Sequence, residues 1–197
     1  MLDDGEADSM SNVMIIYGTS YGQTAKIVER IADRLKVAGH RVTLWRGATI
    51  PAESTVGDFD AFLVAGSVLY GRHQRYLAEF VRRNLGTLNA RPSAFVSVCG
   101  ALIGQWGPGQ EEARKYVARF LARTGWKPRL TRSFPGGLPY TRYGFITRWI
   151  MKSISRKTGR PTDTSRDWDF TDWEAVDRFA ADFESVFGPV AAVGASS

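Results

Sequence analysis

Val13-Met14-Ile15-Ile16-Tyr17, followed at once by Gly18-Thr19-Ser20-Tyr21-Gly22-Gln23-Thr24, decides how this chain folds. The first run carries no charge and reads as a strand buried on both faces, and Ile27, Val28, Ile31, Ala32 and Leu35 then recur at helical spacing. The segment between them is a strand-to-helix loop. Its glycines let backbone close on a ligand, and the first helical turn supplies N–H groups with no intrahelical acceptor at the positive end of the helix dipole. Thr19, Ser20 and Thr24 add hydroxyls, so the loop predicts a phosphate cradle that holds no lysine. A turn that binds nothing is the alternative. Neither Gly-Lys-Ser/Thr nor G-x-G-x-x-G occurs here, which argues against nucleoside-triphosphate and dinucleotide loops.

Working outward, strand and helix patterns alternate. Further strands are predicted at Arg41 to Trp45, Asp60 to Gly66, Ala94 to Val98 and, more weakly, Leu130 to Phe134. Gly39 stops the first helix, and a loop with Pro51 and Gly57 follows the second strand. Helical stripes fall at Tyr76, Leu77, Phe80 and Val81, and at Ala113, Tyr116, Val117, Phe120 and Leu121. Thr171-Asp172-Trp173-Glu174 reads as a capping box opening a last helix that Gly188-Pro189 ends. The pattern is an α/β fold with a doubly wound parallel sheet. Ligands of such sheets sit outside the carboxyl ends of the strands. Besides the first loop, two others qualify: Ser67-Val68-Leu69-Tyr70-Gly71-Arg72-His73 and Cys99-Gly100-Ala101 through Gly104. Tyr70 can stack on a flat ring, Gly71 allows close approach and Arg72 can face an anion. His73 is either a proton relay or a solvated loop histidine, and Cys99 either a redox thiol or a small buried hydrophobe.

A chain of 197 residues with 44% hydrophobic and 23% charged content is sized for one globular domain, expected over 12–188. Residues 1–11, with Asp3, Asp4, Glu6 and Asp8, read as an acidic disordered extension in which Met10 is a candidate start, and 189–197 as a flexible tail. No apolar run is long enough to span a bilayer, and the start has no signal-peptide pattern. One cysteine gives no disulfide framework and fits a reducing cytosol, and with only two histidines no metal-ligand spacing arises. The net charge of +6 points to acidic small molecules, an anionic membrane surface or nucleic acid, and no nucleic-acid motif is present.

The segment of about 138–169 exceeds what a minimal doubly wound domain needs before its last helix. Tyr143, Ile146, Trp149, Ile150 and Ile154 share one helical face, with Arg148, Lys152 and Arg156 along its flank and Arg142 and Lys157 near the ends. A basic helix with Trp and Ile on its apolar side fits an interfacial membrane contact over 142–157. Packing onto the sheet, or self-association as a homo-oligomer, would cover the same face.

Thr19, Gly22 and Thr24 are in register with the T/S-x-T-G-x-T loop of flavodoxins, although Tyr21 replaces a threonine. Together with Tyr70-Gly71, Pro92-Ser93-Ala94-Phe95, Leu138 through Tyr143, Ile150-Met151-Lys152, Thr162-Asp163-Thr164 and Thr171-Asp172-Trp173, the chain resembles the flavodoxin-like, quinone-dependent protoporphyrinogen IX dehydrogenases. That resemblance implies a five-stranded parallel sheet of order 2-1-3-4-5 with a basic helical insertion before the last helix. It implies FMN held by Thr19, Ser20, Tyr21, Gly22, Gln23 and Thr24, by Ser67 through Gly71, and by Cys99, Gly100 and Ala101. It also implies a porphyrinogen substrate, menaquinone or ubiquinone as acceptor, and a cytoplasmic protein peripheral on the inner membrane face. Substrate contacts are then expected from Arg72, Tyr140, Arg142, Tyr143 and Arg148. No catalytic acid or base is predicted. Another FMN-dependent NAD(P)H:quinone oxidoreductase and a non-catalytic electron carrier are the alternatives.

Overall fold

In the computed structural model, which describes residues 10–49, 56–103, 109–157 and 159–187, five parallel strands form one sheet in the order β2-β1-β3-β4-β5. They are β1 (Asn12–Gly18), β2 (Arg41–Arg46), β3 (Ala61–Ser67), β4 (Ser93–Cys99) and β5 (Leu130–Pro135). The expected sheet order is therefore observed. The central strands are apolar on both faces because both faces are covered. Alternation then sorts their side chains. Val13, Ile15, Leu63 and Val96 face α1 (Gln23–Val37) and α6 (Trp173–Phe187). Met14, Ile16, Phe62, Val64 and Phe95 face the layer of α2 (Arg75–Arg83), α3 (Leu85–Ala90) and α4 (Gly109–Thr124).

α1 ends where sequence places its stop. Gly39 takes φ +91°, a conformation a side chain resists, while the N–H groups of Gly39 and His40 close on the carbonyls of Lys36 and Leu35. α1 and α6 are tied by Asp177, which accepts hydrogen bonds from Arg30 and Arg34. The start of α6 differs from the expected capping box. Asp172, not Thr171, caps it, accepting the N–H of Ala175 at 2.9 Å. Thr171 turns away to accept a hydrogen bond from the Gln23 amide at 2.7 Å.

The insertion folds as two short strands, β6 (Gly137–Leu138) and β7 (Trp168–Asp169), paired antiparallel, with α5 (Phe145–Lys157) between them. Ser155 is the buried residue of α5, whereas Phe145, Ile146 and Trp149 are 85%, 72% and 66% exposed. The helix expected there is present, and packing of its apolar face onto the sheet is not. No helix among the described residues is long and apolar enough to cross a membrane. Of the expected extension over 1–11, residues 1–9 lie outside the described residues, as do the tail 189–197, Pro51, Gly104 and Gly188-Pro189. Ser11 is buried, and its N–H donates to Nδ1 of His40.

Candidate functional site

Strand order reverses at β1, which leads to β2 on one side while β3 lies on the other, and the loops after β1, β3 and β4 meet at that edge. A cavity of about 440 Å³ opens there, between the β1–α1 loop and the insertion. It lies within the roughly 300–1,000 Å³ typical of small-molecule sites.

The β1–α1 loop is pulled into shape by its own side chains. Thr19 Oγ1 accepts the Gly22 N–H at 2.8 Å, and the Ser20 N–H donates to Ser67 Oγ at 3.2 Å, which ties the loop to the end of β3. Gly22 sits at φ +96°, which strains any other residue, and a Cβ there would lie 2.6 Å from the Arg142 guanidinium and displace it. No side chain caps the N-terminus of α1. Thr24, on the first turn and lining the cavity, is fully buried, and its Oγ1 has no hydrogen-bond partner. A buried hydroxyl without a partner is costly, and an oxyanion in the cavity would relieve it. Uncapped N–H groups, a left-handed glycine and an unpartnered hydroxyl together fit the phosphate of FMN.

The insertion walls this cradle. Arg142 Nη1 donates to the Tyr21 carbonyl at 2.7 Å, and the Tyr143 ring meets Tyr21 edge-on at 4.9 Å. Burial, with help from Tyr21, pushes the Tyr143 hydroxyl up to about 12, so it stays protonated. Gln23 lines the cavity too, and its amide nitrogen donates to Asp169 and Thr171, joining α1 to β7. The two cavity carboxylates are engaged: Asp169 by Gln23 and the Thr171 N–H, Asp167 by the N–H and hydroxyl of Thr141.

Leu69-Tyr70-Gly71-Arg72 is a two-residue turn in which the N–H of Leu69 and of Arg72 each donate to the other's carbonyl, at 2.9 and 3.1 Å. Both central residues have positive φ, +50° for Tyr70 and +74° for Gly71. Glycine takes this conformation readily and tyrosine does not, so the turn holds Tyr70 at its tip under strain, 89% exposed at the cavity rim. Ser67, Val68 and Leu69 also line the cavity, as does Gly100. Cys99 points into the protein instead, with burial raising its thiol pKa, and Ala101 is not part of the lining.

Of the residues expected to meet substrate, Arg142 and Tyr143 line the cavity. Tyr140 is buried, its hydroxyl donating to Ser155 Oγ at 2.6 Å. Arg148 is engaged by the carbonyls of Tyr140 and Tyr143, at 2.8 and 3.1 Å, as a brace of the insertion. Arg72 lies outside the cavity, in a groove behind the turn. His73 is absent from the cavity lining and is half-buried, bordering the groove behind the turn. It packs against Phe95 and Phe120, pairs through Nε2 with Ser97 Oγ at 2.9 Å, and is held neutral by burial, its pKa lowered to about 4. Sequence spacing could not show this, since its partners are more than 20 residues away. Lys26 and Arg160 line the cavity unanticipated. Burial lowers the pKa of Arg160, and its Nε lacks a partner.

The Flavodoxin domain family profile matches residues 14–165. Protoporphyrinogen IX dehydrogenase [quinone] of Leishmania major is 30% identical over 184 residues, covering 91% of this chain and 78% of that one. The Escherichia coli (strain K12) protein of the same name is 30% identical over 167 residues, 85% of this chain and 91% of its own. Among solved structures, oxidised Flavodoxin 1 from Bacillus cereus superposes with a TM-score of 0.54 at 14% identity, covering 88% of this chain and 97% of that one. That likeness is one of fold.

Proposed function

This chain belongs to the flavodoxin-domain family, among the protoporphyrinogen IX dehydrogenases [quinone], and on that premise we propose that it is an FMN-dependent oxidoreductase passing electrons from a porphyrinogen to a membrane quinone. The observation that carries the cofactor reading is the unpartnered Thr24 hydroxyl beneath an uncapped helix start. FMN, when bound, supplies a ring that takes up and gives back two electrons at a time. Conversion of protoporphyrinogen IX to protoporphyrin IX removes six electrons and six protons, and three quinones become three quinols by taking up the same number of each.

The chain's own part is to hold and shield. Thr24 and the N–H groups of the first turn of α1 take the phosphate, Tyr21 is fixed from behind by Arg142, and Tyr70 offers an exposed ring face at the rim. Asp167 and Asp169 brace the wall through Thr141 and Gln23. The +6 balance favours the reduced, more negative form of a bound flavin, the direction an electron acceptor needs.

The exposed apolar face of α5 adjoins the cavity through Ile150 and Ile154, and Lys152, Arg156 and Lys157 share the helix. We read it as resting on the anionic, cytoplasmic side of a bilayer, which puts the cavity mouth where a lipid-soluble quinone resides. In flotation with phosphatidylglycerol vesicles, Trp149→Ser with Lys152→Glu and Arg156→Glu should abolish binding that wild type shows. Equal recovery of both would contradict the reading. For the reaction, anaerobic protoporphyrinogen should bleach the bound flavin and a menaquinone analogue should restore its colour. Bleaching by NADPH and not by porphyrinogen would overturn the assignment.

A further inference from the structure

Behind the Leu69–Arg72 turn, α2 and α4 enclose a second concavity of about 150 Å³. Arg72, Arg75 and Arg82 border it from the turn and α2, and Arg119 and Arg123 from α4, while His73, Ala78 and Phe120 line it too. Five exposed arginines around one small concavity make the local potential positive and favour an anion there. Of these five, Arg75 pairs with the carboxylate of Glu79 at 2.7 Å, and Arg72, Arg82, Arg119 and Arg123 form no ion pair with any described residue. His73, held neutral, adds no charge of either sign. Arg119 also donates to the Gly71 carbonyl at 3.1 Å, so α4 grips the turn that carries Tyr70.

The groove and the cofactor cavity share that turn as a wall. Leu69 and Tyr70 face the cavity, Gly71 and Arg72 the groove. A flat ligand lying on Tyr70 would therefore overhang the arginines. The groove is too small for a tetrapyrrole or a nucleotide, and its size suits the ends of short acidic arms. Its mixed lining, guanidiniums beside Ala78 and Phe120, matches an arm that is apolar along its stem and charged at its tip. Within the cavity the cations are otherwise placed. Lys26 is on the first turn of α1, Arg142 is bonded to Tyr21 and close to Asp167, and Arg160 stands at the α5 end, where one guanidinium neutralises one carboxylate of a dianion.

We infer that the α2–α4 groove is the carboxylate-recognition subsite of this enzyme, with Arg72, Arg119 and Arg123 receiving the propionate arms of the porphyrinogen while its ring lies over Tyr70. This rests on the porphyrinogen reading above and adds which residues select a dianionic substrate. One exposed charge pair is worth up to about fivefold in affinity, so two propionates held together give about tenfold or more.

The test compares protoporphyrinogen IX with its dimethyl ester on the FMN-loaded protein, in wild type, Arg72→Gln and Arg123→Gln. Wild type should prefer the diacid by about tenfold or more in kcat/KM, through KM, and both variants should collapse that preference toward unity with FMN affinity unchanged. A loss that fell equally on diacid and ester would mean that the arginines only shape the Tyr70 turn, and would overturn the subsite. Turnover of the diacid with its preference intact in the variants would overturn it too and leave the proposed function standing. If wild type oxidises neither compound, the proposed function fails and the subsite with it.

Discussion

α1 and α5 carry apolar stripes of the same period, yet one is sealed and the other bare. Ile27, Val28 and Ile31 of α1 are fully buried against the sheet, whereas Phe145, Ile146 and Trp149 of α5 stand in solvent. α1 is locked to α6 through Asp177 and to the strands it connects. α5 touches the domain through Ser155, Met151 and the Arg148 brace, and keeps its largest side chains on the far side. Helical periodicity therefore fixes that a stripe exists and leaves open what covers it. On α1 the cover is the protein's own sheet, and on α5 the largest apolar side chains stand exposed.

Paired truncations break or sharpen that contrast. Phe183→Ala, in the sealed layer, should cost about 3–5 kcal/mol, and Trp149→Ala on α5 no more than about 0.5 kcal/mol, read as urea unfolding of each. A large loss at Trp149 would mean that α5 is folded against something this structure does not include. The opposite sheet face has its own probe in His73. Because burial lowers its pKa to about 4 from an unfolded value near 6.5, the stability gained by keeping it neutral is whole above about pH 6.5 and is lost as pH falls toward about 4. The drop should be about 2–3 kcal/mol, and His73→Phe should flatten the profile across that window.

Thr24 separates a ligand-binding residue from a core residue at the same depth. Thr24→Val removes a hydroxyl with no partner, so the apoprotein should keep its stability or gain up to about 1 kcal/mol, while FMN affinity falls about tenfold by calorimetric titration. A destabilised apoprotein with unchanged FMN binding would make Thr24 an ordinary core position. The smallest effect is expected at the α1–α6 tie. Hydrogen bonds from Arg30 and then Arg34 hold the Asp177 carboxyl well below the usual carboxylate range. Its contribution is present above about pH 4 and lost as pH falls further, so the gap in urea midpoint between wild type and Asp177→Asn should narrow below that pH.

Much of this was legible in the sequence because it was local. Uncharged runs marked β1, β3 and β4, and the glycine-bearing turn after β1 marked one wall of the cavity. What escaped was set by chain segments far apart. Ser97 and Phe120 hold His73, still in a loop, half-buried against the α4 layer. Strands of two residues, β6 and β7, are too short for any period to show. Arg148 looked free to meet substrate until the carbonyls of Tyr140 and Tyr143 came within its reach. The arginines of the groove are scattered from position 72 to 123, and only the packing of α2 on α4 brings them together. The cap of α6 shifted by one residue because Thr171 is recruited by Gln23, which lies 148 positions earlier.

Titration of the apoprotein with FMN and with riboflavin, which lacks only the phosphate, tests the central claim most directly. The account predicts tight flavin quenching with FMN and binding weaker by about a hundredfold or more with riboflavin, since the cradle at Thr19 to Thr24 would then have no anion to hold. Equal binding of the two, or no binding of either, would contradict it.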